Sequence, residues 1–467
     1  MQEKLYRGAK TLQSTTPMKP HQDSSKTYQG ELFRIELSRL VDPKHPMVKV
    51  TAGMDWEAFD QALQKSWHPQ IGRPGVSTRL MVSLHYLKYS HDLSDVDVLR
   101  MWVENPYWQY LSGMKFFEHQ EPIDASSLSR WRNRLAQAGA QSLLEETIQA
   151  GLRMKFIKAS QLKKVNVDTT VQEKHVRFPT DARLYGRARE RLVELAKQRG
   201  LKLRQSYVRV GKRLMLKQSR YAHAKQYKRA QQCTRRLRTY LGRVIRDIGR
   251  RCPNPDPSLE KLLEVAQKIY HQKRRDKNKV YSVHAPEVEC LSKGKAHKRY
   301  EFGVKVSVGT TSRGGWQVGA QAHRGNRYDG HTLKATLEQI ERIVGKRVRQ
   351  VFVDGGYRGH GYSGEIEVHV DRKRRGKIAQ RLWKWMKRRA AVEPGISHLK
   401  HGHRMNRNRL KGRQGDELNV ILSAAGMNFT KLLRKAVLCW RWIQVWLNQT
   451  EVMPLSIMFQ SNIHTIP

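Results

Sequence analysis

Three acidic residues sit in settings that suit metal-assisted chemistry. Asp168 lies in Val-Asn-Val-Asp-Thr-Thr (165–170), Asp354 in Val-Phe-Val-Asp-Gly-Gly-Tyr-Arg-Gly (351–359) and Glu393 in Arg-Arg-Ala-Ala-Val-Glu-Pro-Gly (388–395). The two aspartates each close a run that reads as a strand, so adjacent strand ends would bring them together. Rigidly held carboxylates are hard oxygen ligands. Two Mg²⁺ ions about 3.5–4 Å apart, shared by a few carboxylates and a substrate's phosphate oxygens, activate the attacking oxygen and stabilise the leaving one in phosphodiester displacement. Taken singly, each residue has an ordinary structural reading. A strand-end aspartate commonly forms a turn, and Glu393 has arginines nearby to pair with. The functional reading rests on the combination.

The hydrophobic period predicts which elements position them. Residues 1–69 give weak signals. From Ser77 the pattern is helical: Leu80, Leu84 and Leu87 recur at helix spacing, Ser94 with Asp97 makes a capping-box start, and Asn105-Pro106 stops the second helix. Asp124 is the predicted N-cap of a third helix carrying Leu128, Trp131 and Leu135, with Arg130 and Arg134 one turn apart on another face. Residues 70–157 thus read as a small helical domain. A helix-turn-helix that lays Arg130 and Arg134 on DNA and a plain bundle with a charged outer face fit this pattern equally. At Lys163 the period changes to 2, and Val-Asn-Val-Asp-Thr-Thr-Val predicts a strand ending near Asp168. A basic helical insertion follows at 183–279. Strands are then predicted in YSVHAPEVEC, EFGVKVSVG and WQVGAQA, followed by a helix with Leu333, Leu337, Ile340 and Val344 as its stripe and Gly345 as C-cap. RQVFVD and EIEVHV (365–370) complete the strands, and a basic helical segment from about Lys377 carries Glu393.

Charge restricts the partner. The 467 residues hold 89 Lys and Arg against 41 Asp and Glu, a formal net charge of +48. Residues 1–160 contribute 21 basic and 17 acidic residues and 161–467 contribute 68 and 24; the insertion alone holds 30 and 7. A surface of this kind releases counterions on meeting a polyphosphate, so nucleic acid is the expected ligand. No run of 18 or more uncharged apolar residues occurs and no membrane is expected as partner. The N-terminus lacks the apolar core of a secretory signal, and Cys233, Cys252, Cys290 and Cys439 are spaced for neither a disulfide framework nor a paired-Cys zinc site. A cytoplasmic location is expected.

Around the three acids the chain resembles the DDE transposases of bacterial insertion sequences, in the IS-five-type and IS-four-type group. The resemblance is carried by VNVDTT, VFVDGGYRG and RRAAVEPGISHLK, and by VHAPEVECLSKGKAHKRYEFGVKVSV and GRPGVSTRLMVSLHYLK; it covers roughly Pro74 to Arg434. In that group the glutamate belongs to a Tyr-x2-Arg-x3-Glu-x6-Lys signature. Arg389, Glu393 and Lys400 stand at those spacings, while Met386 occupies the tyrosine position. The resemblance implies an α/β fold: an N-terminal helical domain (70–157), then an RNase H-like mixed-sheet catalytic domain (161–437) with the basic helical insertion after its first strand, and a tail at 438–467. It implies two Mg²⁺ ions, with Mn²⁺ as a substitute, held by Asp168, Asp354 and Glu393, and phosphate contacts from Arg389 and Lys400. Double-stranded DNA, as element ends and as target, is the implied partner, with a homo-oligomer pairing two ends. Water would release a 3′-OH at each end, and that hydroxyl would attack target DNA without a covalent protein intermediate.

Competing motifs are weaker. Gly359, Gly361 and Gly364 match a GxGxxG pattern, but the run opens onto a predicted strand and not the helix a dinucleotide site requires. His398, His401 and His403 cluster without a nearby cysteine, among Lys400 and Arg404, and read better as phosphate-contacting than as a zinc site. A Walker loop is absent, so no nucleotide cofactor is expected. Trp440, Trp442 and Trp446 read as helix packing. A structure-specific nuclease of the same fold class and a non-catalytic DNA-binding protein are the alternatives. The former would stop at hydrolysis, and the latter leaves the three acidic motifs unexplained.

Overall fold

The computed structural model of the chain describes residues 34–63, 75–292, 298–345, 347–371 and 380–450, side chains of 136, 381 and 439–450 excepted. The predicted features of 1–33 and of the Trp440, Trp442 and Trp446 side chains lie outside these residues. The N-terminal part is helical: α1 (Leu37–Leu40), α2 (Pro46–Gly53), α3 (Trp56–Leu63), α4 (Thr78–Ser90), α5 (Asp95–Glu104), α6 (Pro106–Leu111) and α7 (Ala125–Arg153). Local chemistry sets these boundaries. Ser94 and Asp97 form the capping box that starts α5. Asn105 closes α5 and caps α6 by accepting from the Trp108 amide, with Pro106 at the position where its missing N–H costs nothing. Asp124 caps α7 through the Ser126 amide.

The sheet follows: β1 (Lys164–Glu173), β2 (Glu289–Leu291), β3 (Glu301–Thr311), β4 (Gln317–His323), β5 (Gln350–Val353) and β6 (Glu367–Val370). Its order is β2-β3-β1-β5-β6, with β4 also on β3. β1, β3 and β4 pair antiparallel, whereas β5 and β6 run parallel to β1. This is the mixed RNase H-like sheet that the resemblance implies. α12 (Asp329–Val344) covers one face, and Gly345 closes it in the left-handed conformation at φ 70°. Gly309 and Gly319 lie beneath Ile340 so closely that a Cβ at either position would meet its side chain at 2.6 or 2.5 Å. α13 (Gln380–Arg389), α14 (Val392–Gly402) and the long α15 (Gly412–Thr450) come last.

The N-terminal helices and the sheet share one hydrophobic core, joined by α15. Phe429 stacks on Tyr86 of α4 at 5.0 Å between centroids. Buried Asn428 donates to Gln317 O (2.8 Å) and Thr147 Oγ1 (3.0 Å) and accepts from Gln317 N (2.9 Å), tying α15 to β4 and to α7 at once. Every hydrogen bond of such a buried amide counts, because an unmet polar group in the core costs about 1–3 kcal/mol.

The insertion has a core of its own. It comprises α8 (Asp181–Gln198), α9 (Val208–His223), α10 (Tyr227–Arg251) and α11 (Pro257–His271). α10 shows the principle: Cys233, Leu237, Leu241, Val244 and Ile248 face inward at helical spacing, leaving Arg235, Arg236, Arg243, Arg246 and Arg250 exposed. Four of its seven acids pair internally, Glu190 on Arg187 and Arg189, Glu194 on Arg191, Asp247 on Arg250 and Arg251, and Asp256 on Arg199. The positive excess is therefore left to solvent.

Three expectations are corrected. β1 does not end near Asp168 but runs on to Glu173, because its pairing with β3 continues from Val165 to Glu173 while its pairing with β5 stops at Asn166. Of YSVHAPEVEC only Glu289 and Cys290 are strand, in a β2 that ends at Leu291, since the same edge of β3 is taken by β4 from Lys305 onward. The basic segment carrying Glu393 is two helices, not one. Pro394 lacks the N–H and has the ring that a continuous helix rejects, and a restart at Val392 puts it in a first turn, where both are tolerated.

A buried ion network fixes α7 against α4 and α5. Arg132, 3 % exposed, donates to both Asp95 oxygens at 2.8 and 2.6 Å, and Lys88 Nζ lies 2.6 Å from Oδ1. Burial alone raises the Asp95 carboxyl, but the Arg132 hydrogen bonds and the Lys88 and Arg132 charges outweigh it and hold the group well below the usual carboxylate range. Burial, then Arg132, draws Lys88 down to about 7, so the doubly bonded Arg132 is the durable partner. Asp95→Asn should cost about 3–5 kcal/mol at pH 7 by stranding Arg132 in the core. Because the folded-state value is depressed, the contribution is complete above the unfolded carboxylate value near about 4 and is lost as pH falls below it. Denaturant melts at pH 7 and pH 2 should show the gap between wild type and variant narrowing in acid.

Candidate active site

The parallel register of β1 and β5 runs Lys164 opposite Gln350, Val165 opposite Val351 and Asn166 opposite Phe352. Two residues further along, that register sets Asp168 beside Asp354 on one face of the sheet. β5 has ended at Val353, so the flank of β1 is open there and both aspartates are only half-buried within an otherwise buried pair of strands. Asp354 begins a single 3-10 turn, Gly355–Tyr357, and accepts from the Gly356 amide at 3.0 Å. Asp168 accepts from the Thr169 amide at 2.7 Å. These bonds hold the carboxylates in place.

A third aspartate, not anticipated from the sequence, lies alongside. Asp329 is in the first turn of α12, and its Oδ1 is 3.0 Å from Lys305 Nζ on β3. A Cβ on Gly356 would sit 3.0 Å from Asp354 Oδ1 and 3.3 Å from Asp329 Oδ2, so both carboxylates face one small gap that only glycine leaves clear. Tyr357 is fully buried below them, and burial followed by Asp168, Asp329 and Asp354 pushes its phenol well above the usual tyrosine range. Asp329 resembles a helix-start acid in sequence, which masks it. The glycine pair in Asp354-Gly-Gly-Tyr was the available signal.

Glu393 occupies the first turn of α14, which packs against β1 and β3. Its side chain is 65 % exposed, with Oε1 4.0 Å from Arg389 Nη2. Arg389 ends α13, where the preceding carbonyl, Arg388 O, accepts from Asn166 Nδ2 at 3.2 Å and so fastens the helix to β1 two residues before Asp168. The Arg389 side chain is only 14 % exposed, and its Nε is buried without a partner. A buried guanidinium with an unmet N–H suits an anion. Lys400 lies in the last turn of α14, partly buried. Among the described residues, no three Asp, Glu, His or Cys side chains stand in metal-binding geometry. Asp168 and Asp354 are brought together, and Glu393 lies on the adjacent helix with its carboxylate in solvent. The oxygen-only donor set and the gap kept clear at Gly356 fit a hard divalent cation such as Mg²⁺.

Arg130 and Arg134 are exposed on α7, with Arg130 Nη2 donating to Ser127 Oγ at 3.1 Å. Buried Arg132 between them anchors the helix to Asp95. Of the histidine cluster, His398 and His401 are exposed and His403 is buried, donating to Tyr89 O at 2.9 Å. Gly359 and Gly361 have positive φ in the loop that leads to β6.

Two family models match the chain: one described as a transposase domain (DUF772) over residues 35–134, and one described as a transposase DDE domain over 268–429. The second spans Asp354 and Glu393 and begins within α11, the last helix of the insertion; Asp168 precedes it. The chain is also 45 % identical over 210 residues to an uncharacterized protein, ORF8 of the nfe locus, from Rhizobium meliloti, covering 45 % of this chain and 100 % of that protein. No solved structure matches it.

Proposed function

The chain belongs to the DDE transposases of insertion sequences, and from that premise we propose that it binds the ends of its own element, frees their 3′-OH groups and joins them to target DNA. Metal-assisted phosphodiester transfer is the reaction. The observation that carries the reading is the parallel β1/β5 register, which sets Asp168 beside Asp354 where the sheet opens to solvent. The family uses divalent metals. Asp168, Asp354 and Glu393 hold Mg²⁺, for which Mn²⁺ substitutes, and the chemistry this cation supplies when bound is stabilisation of charge on the attacking and leaving oxygens. The protein's own share is orientation. The Gly356 and Thr169 amides fix the two aspartates, while Arg389 and Lys400 hold phosphates beside Glu393, Arg389 through the buried Nε that lacks a partner. Met386 in place of the signature tyrosine removes one side-chain interaction and no acidic ligand.

DNA is gripped by the insertion, whose exposed α10 arginines meet backbone phosphates, and read by the helical part, where exposed Arg130 and Arg134 stand one turn apart. A homo-oligomer pairs two ends. No helix among the described residues is long and apolar enough to cross a membrane, and a DNA substrate suits a cytoplasmic enzyme. Joining of a pre-cleaved end to plasmid DNA distinguishes this activity from that of a nuclease, which yields only hydrolysis.

Three outcomes are expected. Asp168→Asn, Asp354→Asn and Glu393→Gln each remove a charge with little change in volume, so end nicking falls by several kcal/mol of barrier, about 10³-fold or more, while gel retardation of end DNA is retained. A variant that nicks at near wild-type rate removes that residue from the site. Replacing Arg235, Arg236, Arg243 and Arg246 by Gln should make the log–log dependence of DNA affinity on salt shallower by about 0.9 for each phosphate that is no longer neutralised; an unchanged slope means that α10 does not face DNA. Arg130→Ala with Arg134→Ala should cut the preference for end over random DNA, by about 1–3 kcal/mol for each base the pair reads. Equal losses on both DNAs would reassign the pair to phosphate contact.

A further inference from the structure

Asp329 is held more elaborately than a helix-start acid requires. Besides its ion pair with Asp329, Lys305, itself 7 % exposed, bonds Arg327 O, the carbonyl two residues before Asp329. On the same strand Ser307, fully buried, donates to Thr332 Oγ1 at 3.2 Å and lies 2.8 Å from His323 Nε2, and Thr332 donates to the Asp329 carbonyl at 2.7 Å. Burial, then Arg327 and Lys305, lowers His323 to about 4, so it is neutral here. Buried polar groups are costly unless satisfied, and this row of four spans β3, β4 and the start of α12 to orient one carboxylate. With Oδ1 on Lys305, Oδ2 is left toward the gap beside Gly356 that Asp354 Oδ1 also faces. Directly after that glycine comes Tyr357, fully buried, with Thr332 as the side-chain partner of its hydroxyl. The Thr332 hydroxyl in turn gives its proton to Asp329 O.

We propose that Asp329 is a fourth acid of the same centre, a positioning residue whose free oxygen and the Tyr357 hydroxyl hold the water shell of the divalent cation bound at Asp354. The inference rests on reading Asp168 and Asp354 as metal ligands. A plain helix-capping aspartate accounts for the Lys305 pair but leaves unexplained the gap at Gly356, onto which Asp329 Oδ2 and Asp354 Oδ1 both face. Outer-sphere partners of this kind change metal affinity by about 10–100-fold.

The test is Mn²⁺ binding by the full chain without DNA, followed by electron paramagnetic resonance, with thermal midpoints in metal-free buffer recorded alongside. Asp329→Asn should weaken Mn²⁺ about tenfold, Asp329→Glu should restore part of the loss, and Tyr357→Phe should weaken it less. Affinity within twofold of wild type for Asp329→Asn, beside a clear loss for Asp354→Asn, overturns the proposal and leaves the metal reading intact. No loss in either variant overturns the metal reading and the proposal with it. Should Asp329→Asn fail to fold, Fe²⁺ with peroxide on the wild-type chain decides. Backbone cuts around 327–331 together with those around 353–357 support a cation beside Asp329, and cuts at 353–357 without them exclude it.

Discussion

Three residue pairs between β1 and β5 carry the rest of this molecule's arrangement. Parallel strands cannot be joined by a hairpin, so the chain between them must cross over, and here the crossover contains the insertion, the strands β2, β3 and β4, of which β3 is the antiparallel neighbour of β1, and α12. The pairing sets the register in which Asp168 and Asp354 share a face. Its early end at Asn166 leaves the aspartates open to solvent while β3 still supports β1 as far as Glu173. A slip of one residue would turn one of the two aspartates to the opposite face.

What keeps that register from slipping is polar as much as apolar. On the face that carries Asp168, Asn166 accepts from Ser312 Oγ and donates to Arg388 O, and Gln172 donates to Asp416 O and accepts from Asn419 Nδ2. Buried Lys174 at the end of the strand lies 2.8 Å from Asp416 and 3.1 Å from Glu287. α15 supplies Asp416 and Asn419 here and Asn428 to β4, so one helix locks the far end of β1 and binds the N-terminal helices to the sheet. Such satisfied networks select one packing, because any shift strands several buried groups at once. The insertion stands apart from this scheme. With its own core and with four of its seven acids paired internally, it carries a large positive excess without straining the sheet.

Much of this was legible in the sequence, and the rest was not, for identifiable reasons. The Ser94/Asp97 box, the Asp124 cap, the Gly345 stop and the strands at β3, β4 and β5 follow from local chemistry within a few residues. Asp168 reads as a strand end because an aspartate inside a buried strand is unfavourable. It is tolerated since β5 stops and leaves its side chain a wet flank, a fact about a strand far along the chain. The break at Ala390 was signalled by Pro394 but submerged in a basic run whose composition favours an unbroken helix. Asp329 and Tyr357 acquire meaning only from what lies beside them in space: Lys305 on one strand, Gly356 in the turn after another. Glu393 lies in the helix that its motif predicts, yet its carboxylate stands in solvent, since nothing in spacing alone says which way a helix turns.

The central claim is that Asp168 and Asp354, neighbours across β1 and β5, hold the cation that phosphodiester transfer requires. A change of ligand softness tests it most directly. Mg²⁺ binds sulfur poorly, whereas Mn²⁺ accepts it better. Asp168→Cys and Asp354→Cys, assayed for nicking of end DNA in each metal, should be inactive with Mg²⁺ and recover measurable activity with Mn²⁺, while an Ala variant at either position recovers none. Activity of either cysteine variant in Mg²⁺ alone, or equal recovery by its alanine counterpart, would contradict direct ligation and with it this account of the site.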